Sequence, residues 1–343
     1  MILKQFNNGA VLLENLKIIQ PFLDDDRNTE IIINRPGELI TESDKWAFHD
    51  MPELTLERCM DIATLIASYS RQRLDSGDPI LSATLPKGER VQVVIPPATL
   101  PGRVSITIRR PSDHKFTLEE WDKQGAFSQC KNYTDQKTPE EVELVKLLSQ
   151  NQYLEFLKLA VQTRKNIIVS GSTGSGKTTF MKTLLQLVPQ KSERVLSIEN
   201  VDELKLYESH ANSVPLFYSA TKKGEAKELT QQQLLESGLR MRPDRMFVAE
   251  LIRGDEAFYY LRNVNSGHPG SITSIHANSA RLAIEQLVLF LKESKSGTSL
   301  TREDTKQLLF MCVDIIIQIK KVNGKRIITE IYYDPDHKRQ MAA

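Results

Sequence analysis

The sequence predicts an α/β protein in two domains, a mixed α+β N-terminal domain and a C-terminal domain built on a mostly parallel sheet. Three observations lead to this fold class. A chain of 343 residues is long enough for about two domains. Short β-branched runs and one helical period mix in its first third, and strand and helix signals alternate through the rest. We place the N-terminal domain at residues 1–130, a linker at 131–138 and the second domain at 139–343.

The N-terminal domain combines short strand signals with one amphipathic helix. Residues 30–33 form a β-branched run, and a turn cluster, Asn-Arg-Pro-Gly, follows it. Apolar residues recur at helical spacing from Leu56, which predicts a helix that ends near Ser76–Gly77. Residues 91–95 and 104–108 have the composition of strands, and prolines lie between them. This pattern predicts two antiparallel strands joined by a stiff loop.

The second domain begins at a helix start signal and ends on a hairpin. Thr138 is followed by proline at the first helical position and by Glu141 at the capping-box position. Strand and helix signals then alternate, as in a doubly wound sheet. At the tail, Asn323–Gly324 separates two strand signals at residues 313–319 and 326–332. Because Asn-Gly is the strongest short hairpin signal, we expect an antiparallel hairpin there.

Composition and charge exclude several classes of protein. The 45 Lys and Arg against 44 Asp and Glu leave a formal net charge of +1, so no global basic field favours nucleic acid. We interpret Lys222–Lys223 and Lys320–Lys321 as solvated loop charges. No apolar run approaches the roughly 20 residues that span a bilayer, and residues 1–14 lack the features of a signal peptide. Three distant cysteines without a C-x-x-C pair predict reduced thiols in the cytoplasm.

The strongest motif is a phosphate-binding loop. An apolar strand signal at residues 165–170 leads into G-x-x-x-x-G-K-[ST], and a helix signal follows, which is the context that the motif requires. The residues that this motif predicts to bind nucleotide are Gly171, Ser172, Thr173, Gly174, Ser175, Gly176, Lys177, Thr178 and Thr179.

This loop predicts that the protein binds a nucleoside triphosphate, ATP, together with Mg²⁺. Glycines allow backbone N–H groups to converge on phosphate oxygens without clashes from Cβ atoms. The N-terminus of the following helix adds its partial positive charge. We expect Lys177 to reach the β- and γ-phosphates and the Thr178 hydroxyl to ligate Mg²⁺.

Three further strand signals end in polar residues that are candidate catalytic residues. Glu199, Glu250 and His276 each follow an apolar run. Ligands of open α/β sheets bind at the carboxyl ends of strands, so we expect these side chains to converge on the phosphates. One carboxylate can orient or deprotonate the attacking water while another holds Mg²⁺ through its waters. A histidine there can sense or bind the γ-phosphate.

With these motifs in order, the sequence resembles the secretion ATPases that power type IV secretion, type II secretion and type IV pili. It resembles most closely the small hexameric traffic ATPases of type IV secretion systems. The resemblance covers about the whole chain, because N-terminal segments match as well as the four nucleotide-site boxes. The matching segments are residues 33–38, 90–97, 106–112, 171–178, 198–204, 239–250 and 266–276.

The chain departs from the family pattern in two places and lacks one family feature. The first acidic box usually has Asp where this chain has Asn200, which weakens a catalytic role for that position. The segment 250–254 is one residue longer than the usual pattern, which leaves the place of Arg253 undetermined. The tetracysteine insert of type II secretion members is missing, and its absence favours the type IV secretion branch.

The resemblance implies a RecA-like ATPase domain and a ring of six subunits in two stacked tiers, with nucleotide between the two domains. A phosphate loop alone lacks a cation for the charge that develops at the γ-phosphate, and an arginine from another element commonly supplies it. Arg109 and Arg110 are our candidates, with Arg240 and Arg242 as alternatives for this role or for a subunit contact. We assign Glu199 as general base and metal binding to Thr178 and Glu250.

The predicted function is Mg²⁺-dependent ATP hydrolysis that powers assembly of, or substrate transfer through, a type IV secretion or conjugation apparatus. The expected partners are further copies in a homo-hexamer and inner-membrane and cytoplasmic components of that machine. The protein is expected in the cytoplasm, with peripheral association with the inner membrane left open and direct nucleic-acid binding not expected. Alternatives are a type IV pilus or type II secretion motor, a nucleotide-gated scaffold with little hydrolysis, and a nucleic-acid motor such as a helicase.

Overall fold

The computed structural model describes residues 2–111, 115–130, 136–219, 229–295 and 297–342, with side chains within the range 9–341. Its helices are α1 (Ile2–Leu16), α2 (Gln20–Leu23), α3 (Leu56–Ser70), α4 (Leu118–Lys123), α5 (Pro139–Ser149), α6 (Tyr153–Gln162), α7 (Lys177–Leu185), α8 (Gln231–Gly238), α9 (Gly254–Asn265), α10 (Ala280–Glu293), α11 (Arg302–Cys312) and α12 (Pro335–Ala342). Its strands are β1 (Glu30–Ile33), β2 (Gly37–Glu42), β3 (Trp46–Met51), β4 (Ile80–Thr84), β5 (Arg90–Val94), β6 (Ser105–Arg109), β7 (Ile167–Ser170), β8 (Val195–Glu199), β9 (Ser213–Phe217), β10 (Arg245–Val248), β11 (Ile272–Ile275), β12 (Ile315–Val322) and β13 (Lys325–Tyr333).

The first sheet is antiparallel and has the strand order β3-β2-β1-β6-β5-β4. The predicted pair β5 and β6 is present, and α1 and α3 pack on the sheet through a core that includes Leu12, Ile62 and Ile106. Helix α3 ends at Ser70 rather than near Ser76–Gly77. It stops because Arg71 adopts a left-handed conformation and the Gln72 N–H bonds back to the Ala67 carbonyl, which closes the helix terminus.

The second sheet is mostly parallel and has the strand order β13-β12-β7-β11-β10-β8-β9. All pairs are parallel except β12 with β13, which form the predicted hairpin. Its turn residues Asn323 and Gly324 have φ of 50° and 79°. Positive φ at both positions is the geometry that Asn-Gly favours, so the turn follows directly from the sequence.

Helices cover both faces of this second sheet. The side chains of β7 alternate between these two faces. Ile167 and Val169 pack with α6 and α7, whereas Ile168 faces the core formed by α8, α9 and α10. The near-continuous apolar runs of these strands are typical of strands buried on both faces. The α/β fold class, with an antiparallel first sheet and a mostly parallel second one, is thus confirmed.

Buried polar contacts join the two sheets at the amino ends of the parallel strands. Arg194, which directly precedes β8, donates to Asn34 Oδ1 at 2.8 Å and to Thr107 Oγ1 at 3.2 Å. Its side chain is fully buried, and burial lowers its pKa to about 10, so it stays charged at neutral pH. Arg242, three residues before β10, binds Glu42 of β2. The position of the first sheet against the second is therefore fixed by charged groups.

Three expectations concern the start of the second domain, the linker and membrane-spanning helices. The capping box at Thr138 is present, with reciprocal bonds to Glu141, and α5 starts at Pro139 as the sequence predicts. Residues 131–135 lie outside the described residues, so the linker at 131–138 and both domain boundaries stay predictions. Among the helices that the structure describes, none is long and apolar enough to cross a bilayer.

Candidate active site

The phosphate loop connects the carboxyl end of β7 to the first residue of α7. Gly174 and Gly176 have φ of 74° and 98°, a left-handed conformation that glycine adopts without cost from a Cβ atom. Gly171 is required for space, since a Cβ there would lie 2.5 Å from Ser175 Oγ and 2.6 Å from the Ile319 carbonyl oxygen. The sequence Gly-x-x-x-x-Gly thus produces the tight turn that brings backbone N–H groups to the start of α7.

Lys177 is buried inside this turn. Its ammonium donates to the carbonyl oxygens of Gly171 at 3.0 Å and Ser172 at 3.4 Å, and it lies 3.1 Å from His276 Nδ1. Burial lowers the pKa of Lys177, and the carboxylate of Glu250, 3.8 Å away, opposes that shift. The Lys177 ammonium is therefore held within the loop by uncharged carbonyl oxygens, which phosphate oxygens can replace as its hydrogen-bond acceptors.

His276 and Glu250 extend from Lys177 as a chain of contacts. His276 Nε2 lies 2.8 Å from Glu250 Oε1. Since Nδ1 faces an ammonium group, it must accept a hydrogen bond, and the ring proton is assigned to Nε2, which then donates to Glu250. Two residues from the carboxyl ends of different strands thus meet the loop lysine, as the switch-point argument predicts.

Glu199 lies apart from that chain of contacts. Its Oε2 accepts hydrogen bonds from the backbone N–H groups of Glu203 at 3.0 Å and Leu204 at 2.8 Å. The side chain is fully buried, its Oε1 has no hydrogen-bond partner among the described residues, and burial raises its pKa. Glu199 therefore anchors the turn of the first acidic box with one oxygen, while its other oxygen is buried next to Ser197 of the same strand.

The residues around Thr178 fit a magnesium ion that is held together with nucleotide phosphates. Thr178 is half-buried in the first turn of α7, and Thr179 beside it is exposed. Among the described residues, no group of three His, Cys, Asp or Glu side chains forms a cage for a metal. Mg²⁺ commonly takes one or two protein oxygens plus waters and phosphates, so one hydroxyl and one carboxylate suit it better than such a cage.

The four candidate arginines fall into two groups, those bound by other residues of the chain and those that line a cavity. Arg110 donates to the carbonyls of Asp25 at 2.6 Å and Asn28 at 3.2 Å and pairs with Asp26, while Arg242 pairs with Glu42 and Asp244. These two guanidinium groups are thus committed to contacts within the chain.

Arg109 and Arg240, in contrast, line one cavity of about 740 Å³. Arg109 has a side chain 66% exposed and makes one long pair, at 3.4 Å, with Glu30. It is therefore the more accessible of the two guanidinium groups first proposed for the γ-phosphate.

Arg109 does not meet the phosphate loop of its own chain. Its register partner on β1 is Glu30, and the register partner of Glu30 on β2 is Glu42. Glu42 in turn binds Arg242, which lies just before β10. The arginine cavity therefore lies near the amino ends of the parallel strands, whereas the loop follows the carboxyl end of β7. A strand such as β8, with five residues, separates these edges by roughly 13 Å or more.

Sequence reasoning missed two residues that the structure places near these groups. Arg90 is the register partner of Arg109 and lines the same cavity, a neighbour that the antiparallel pairing of two strand signals could have identified. Tyr207 donates to Asp202 at 2.6 Å, and the Arg103 guanidinium lies 4.7 Å from its ring centroid. No sequence spacing predicts this second contact, because it joins the segment that follows the first acidic box to the loop between β5 and β6 of the other sheet.

A mostly parallel sheet with this loop and these strand-end residues defines a phosphate-loop NTPase. The family model described as "Type II/IV secretion system protein" matches residues 30–319. The chain therefore belongs to the type II/IV secretion system protein family, and the predicted resemblance is confirmed.

Two of its relatives are type IV secretion system proteins. Type IV secretion system protein VirB11 of Bartonella henselae is 44% identical, over 97% of this chain and 95% of its own length. The protein PtlH homolog of Bordetella bronchiseptica is 35% identical, over 93% and 94%. The crystal structure of the VirB11 ATPase from the Brucella suis type IV secretion system, in complex with sulphate, superposes with a TM-score of 0.92 at 39% identity and 98% coverage of both chains. The chain is thus a type IV secretion ATPase.

Proposed function

We propose that this chain hydrolyses Mg²⁺-bound ATP and uses the energy for assembly of, or substrate transfer through, a type IV secretion or conjugation apparatus. The contact chain Lys177–His276–Glu250 at the phosphate loop carries the proposal. In this proposal phosphate oxygens replace the carbonyls that hold Lys177. Thr178 and Glu250 would hold a Mg²⁺ ion, which would supply positive charge to the phosphates. Glu199, whose second oxygen is buried, accepts a proton from the attacking water, and its raised pKa suits that role.

A second subunit completes the site in this proposal. The γ-phosphate needs a cation that the loop does not supply, and Arg109, at the end of β6, lies near the amino ends of the parallel strands rather than at the loop of its own chain. A neighbouring copy can deliver Arg109 across a head-to-tail interface, and repetition of that interface closes a ring. A homo-hexamer is the ring that the family resemblance implies. Nucleotide turnover then changes the contact between one subunit's loop and its neighbour's first sheet.

The proposed partners follow from the relatives. VirB11 of Bartonella henselae is named as a type IV secretion system protein. We place this chain at the cytoplasmic face of the inner membrane, where it contacts inner-membrane and cytoplasmic components of such a system. Membrane contact is peripheral in this proposal, and nucleic acid is not bound directly by a chain of net charge +1.

Phosphate release from Mg-ATP across a range of protein concentrations tests the proposal, with Lys177→Ala as the blank. Specific activity should rise with concentration and vanish in the variant, because assembly completes the site. Constant specific activity would mean that each subunit is complete alone. Absence of activity at every concentration, with ATP still bound, would favour the nucleotide-gated scaffold.

Glutamine variants separate the roles of the two glutamates. Glu199→Gln should lower kcat about 10²- to 10⁴-fold at every Mg²⁺ concentration, because a general base is lost. Glu250→Gln should shift the Mg²⁺ dependence of turnover to higher concentration, since it removes the negative charge that would hold the waters of the ion. If Glu199→Gln kept most activity while Glu250→Gln abolished it at saturating Mg²⁺, the two roles would be exchanged.

A further inference from the structure

The C-terminal hairpin places an arginine directly on the phosphate loop. A Cβ atom added at Gly176 would lie 2.5 Å from Arg326 Cδ and 2.7 Å from its Nε. The stem and the first nitrogen of Arg326 therefore pack on the backbone of the residue that caps α7. On the same side, the Ile319 carbonyl of β12 lies against Gly171. The hairpin thus forms one wall of the loop.

The charge of Arg326 is not paired with any carboxylate in the part of the chain that the structure describes. The side chain is exposed. Its register partner across the hairpin is Lys321, and two like charges directly opposite each other are unfavourable. The positive N-terminal end of α7 lies beside it, and a cation at that end is unfavourable as well. Lys177 adds a third positive group in the next residue of the loop.

From this convergence we infer that Arg326 contacts the nucleotide itself, through the phosphate groups that ADP and ATP share. The inference rests on the proposed nucleotide site and deepens it. Lys177, His276 and Glu250 already converge on the side assigned to the γ-phosphate. Arg326 reaches the loop from the hairpin, at the glycine one residue before Lys177, where backbone N–H groups meet the inner phosphates. An anion there removes the repulsion among Arg326, the N-terminal end of α7 and Lys177.

This role makes a specific prediction for binding and turnover. Hydrogen bonds to charged groups are among the strongest in proteins, so Arg326→Ala should weaken ADP and a non-hydrolysable ATP analogue equally, by about 10- to 100-fold. The Michaelis constant for ATP should rise by a similar factor. The turnover number at saturating ATP should stay within about twofold of wild type, because contacts equal in ground and transition states do not change kcat.

Titration calorimetry with ADP and with the analogue, both with Mg²⁺, tests the inference. Lys325→Ala is the matched control, since it removes one positive charge from the adjacent position, which faces the other side of the strand. It should leave both affinities unchanged. Arg326→Lys, which keeps the charge without the planar fork, should fall between wild type and Arg326→Ala.

Three outcomes would overturn the inference. Wild-type affinity in Arg326→Ala would show that the side chain only packs on Gly176. Lost turnover with unchanged ADP affinity would place Arg326 at the γ-phosphate. If Arg326→Ala failed to fold, Arg326→Gln keeps most of the stem over Gly176 without the charge, and normal ADP affinity in that variant would have the same meaning. Failure of the wild-type protein to bind either nucleotide would instead refute the proposed function.

Discussion

Replacement of Glu30 by glutamine should stabilise the protein at neutral and alkaline pH. Glu30 is 2% exposed, its Oε2 has no hydrogen-bond partner among the described residues, and Glu42 is its register neighbour. Burial raises the pKa of Glu30 from 4.5 to about 7, and the charge of Arg109 only partly offsets this. The carboxyl group is therefore more stable protonated in the folded protein than in the unfolded chain.

The sign and size of the effect follow from proton binding. Between pH 4.5 and 7 the folded protein retains a proton that the unfolded chain has lost, so the free energy of unfolding falls as pH rises. A pKa raised from 4.5 to about 7 corresponds to about 3 kcal/mol at about 1.4 kcal/mol per tenfold change. Because some of that loss has already occurred at pH 5, about 2 to 3 kcal/mol remains between pH 5 and pH 8.

Denaturant unfolding of wild type and Glu30→Gln at pH 5 and pH 8 measures this effect. The stability advantage of the variant should grow by about 2 to 3 kcal/mol between the two pH values, since only wild type carries the titrating carboxyl group at position 30. Asp26→Asn, at an exposed acidic position, serves as a control with no such growth. An advantage for Glu30→Gln that is equal at both pH values would refute the assignment of a buried, raised-pKa carboxyl.

Two further substitutions test the contacts that hold the fold and the loop. Arg194→Met should lower the free energy of unfolding by about 3–5 kcal/mol, because buried acceptors on both sheets, among them Asn34 Oδ1 and Thr107 Oγ1, lose their hydrogen-bond donor. The change is measured by denaturant unfolding, and Lys158→Met, from an exposed ion pair, should cost under about 1 kcal/mol. Gly171→Ala should abolish ADP binding in calorimetry, since its Cβ would collide with the Ile319 carbonyl. Normal ADP affinity in that variant would contradict the packing of β12 against the loop.

The local features that the sequence predicts correctly are those that depend on neighbours in the chain. The Asn323–Gly324 turn, the capping box at Thr138 and the glycines of the phosphate loop each require particular backbone angles or short-range hydrogen bonds. Helix α3 ends six residues early because a left-handed arginine stops it, and no glycine marks that position.

Contacts between distant parts of the chain could not be predicted in the same way. The meeting of His276 and Glu250 follows from a general rule on strand ends, so the sequence was sufficient there. The ion pairs of Arg110 and Arg242 with carboxylates depend on tertiary packing, which the spacing of residues in the sequence does not predict. The stacking of Arg326 on Gly176 likewise depends on the hairpin folding back over the loop.

Mixing two inactive variants tests most directly whether Arg109 acts across a subunit boundary. Lys177→Ala lacks a working loop, and Arg109→Ala lacks the cation that the neighbouring loop needs. After subunits have exchanged in an equal mixture, random pairing gives a working loop next to an intact arginine at about a quarter of the sites. We predict phosphate release at about that fraction of the wild-type rate. A mixture as inactive as its two components, although mixed oligomers form, would contradict the account.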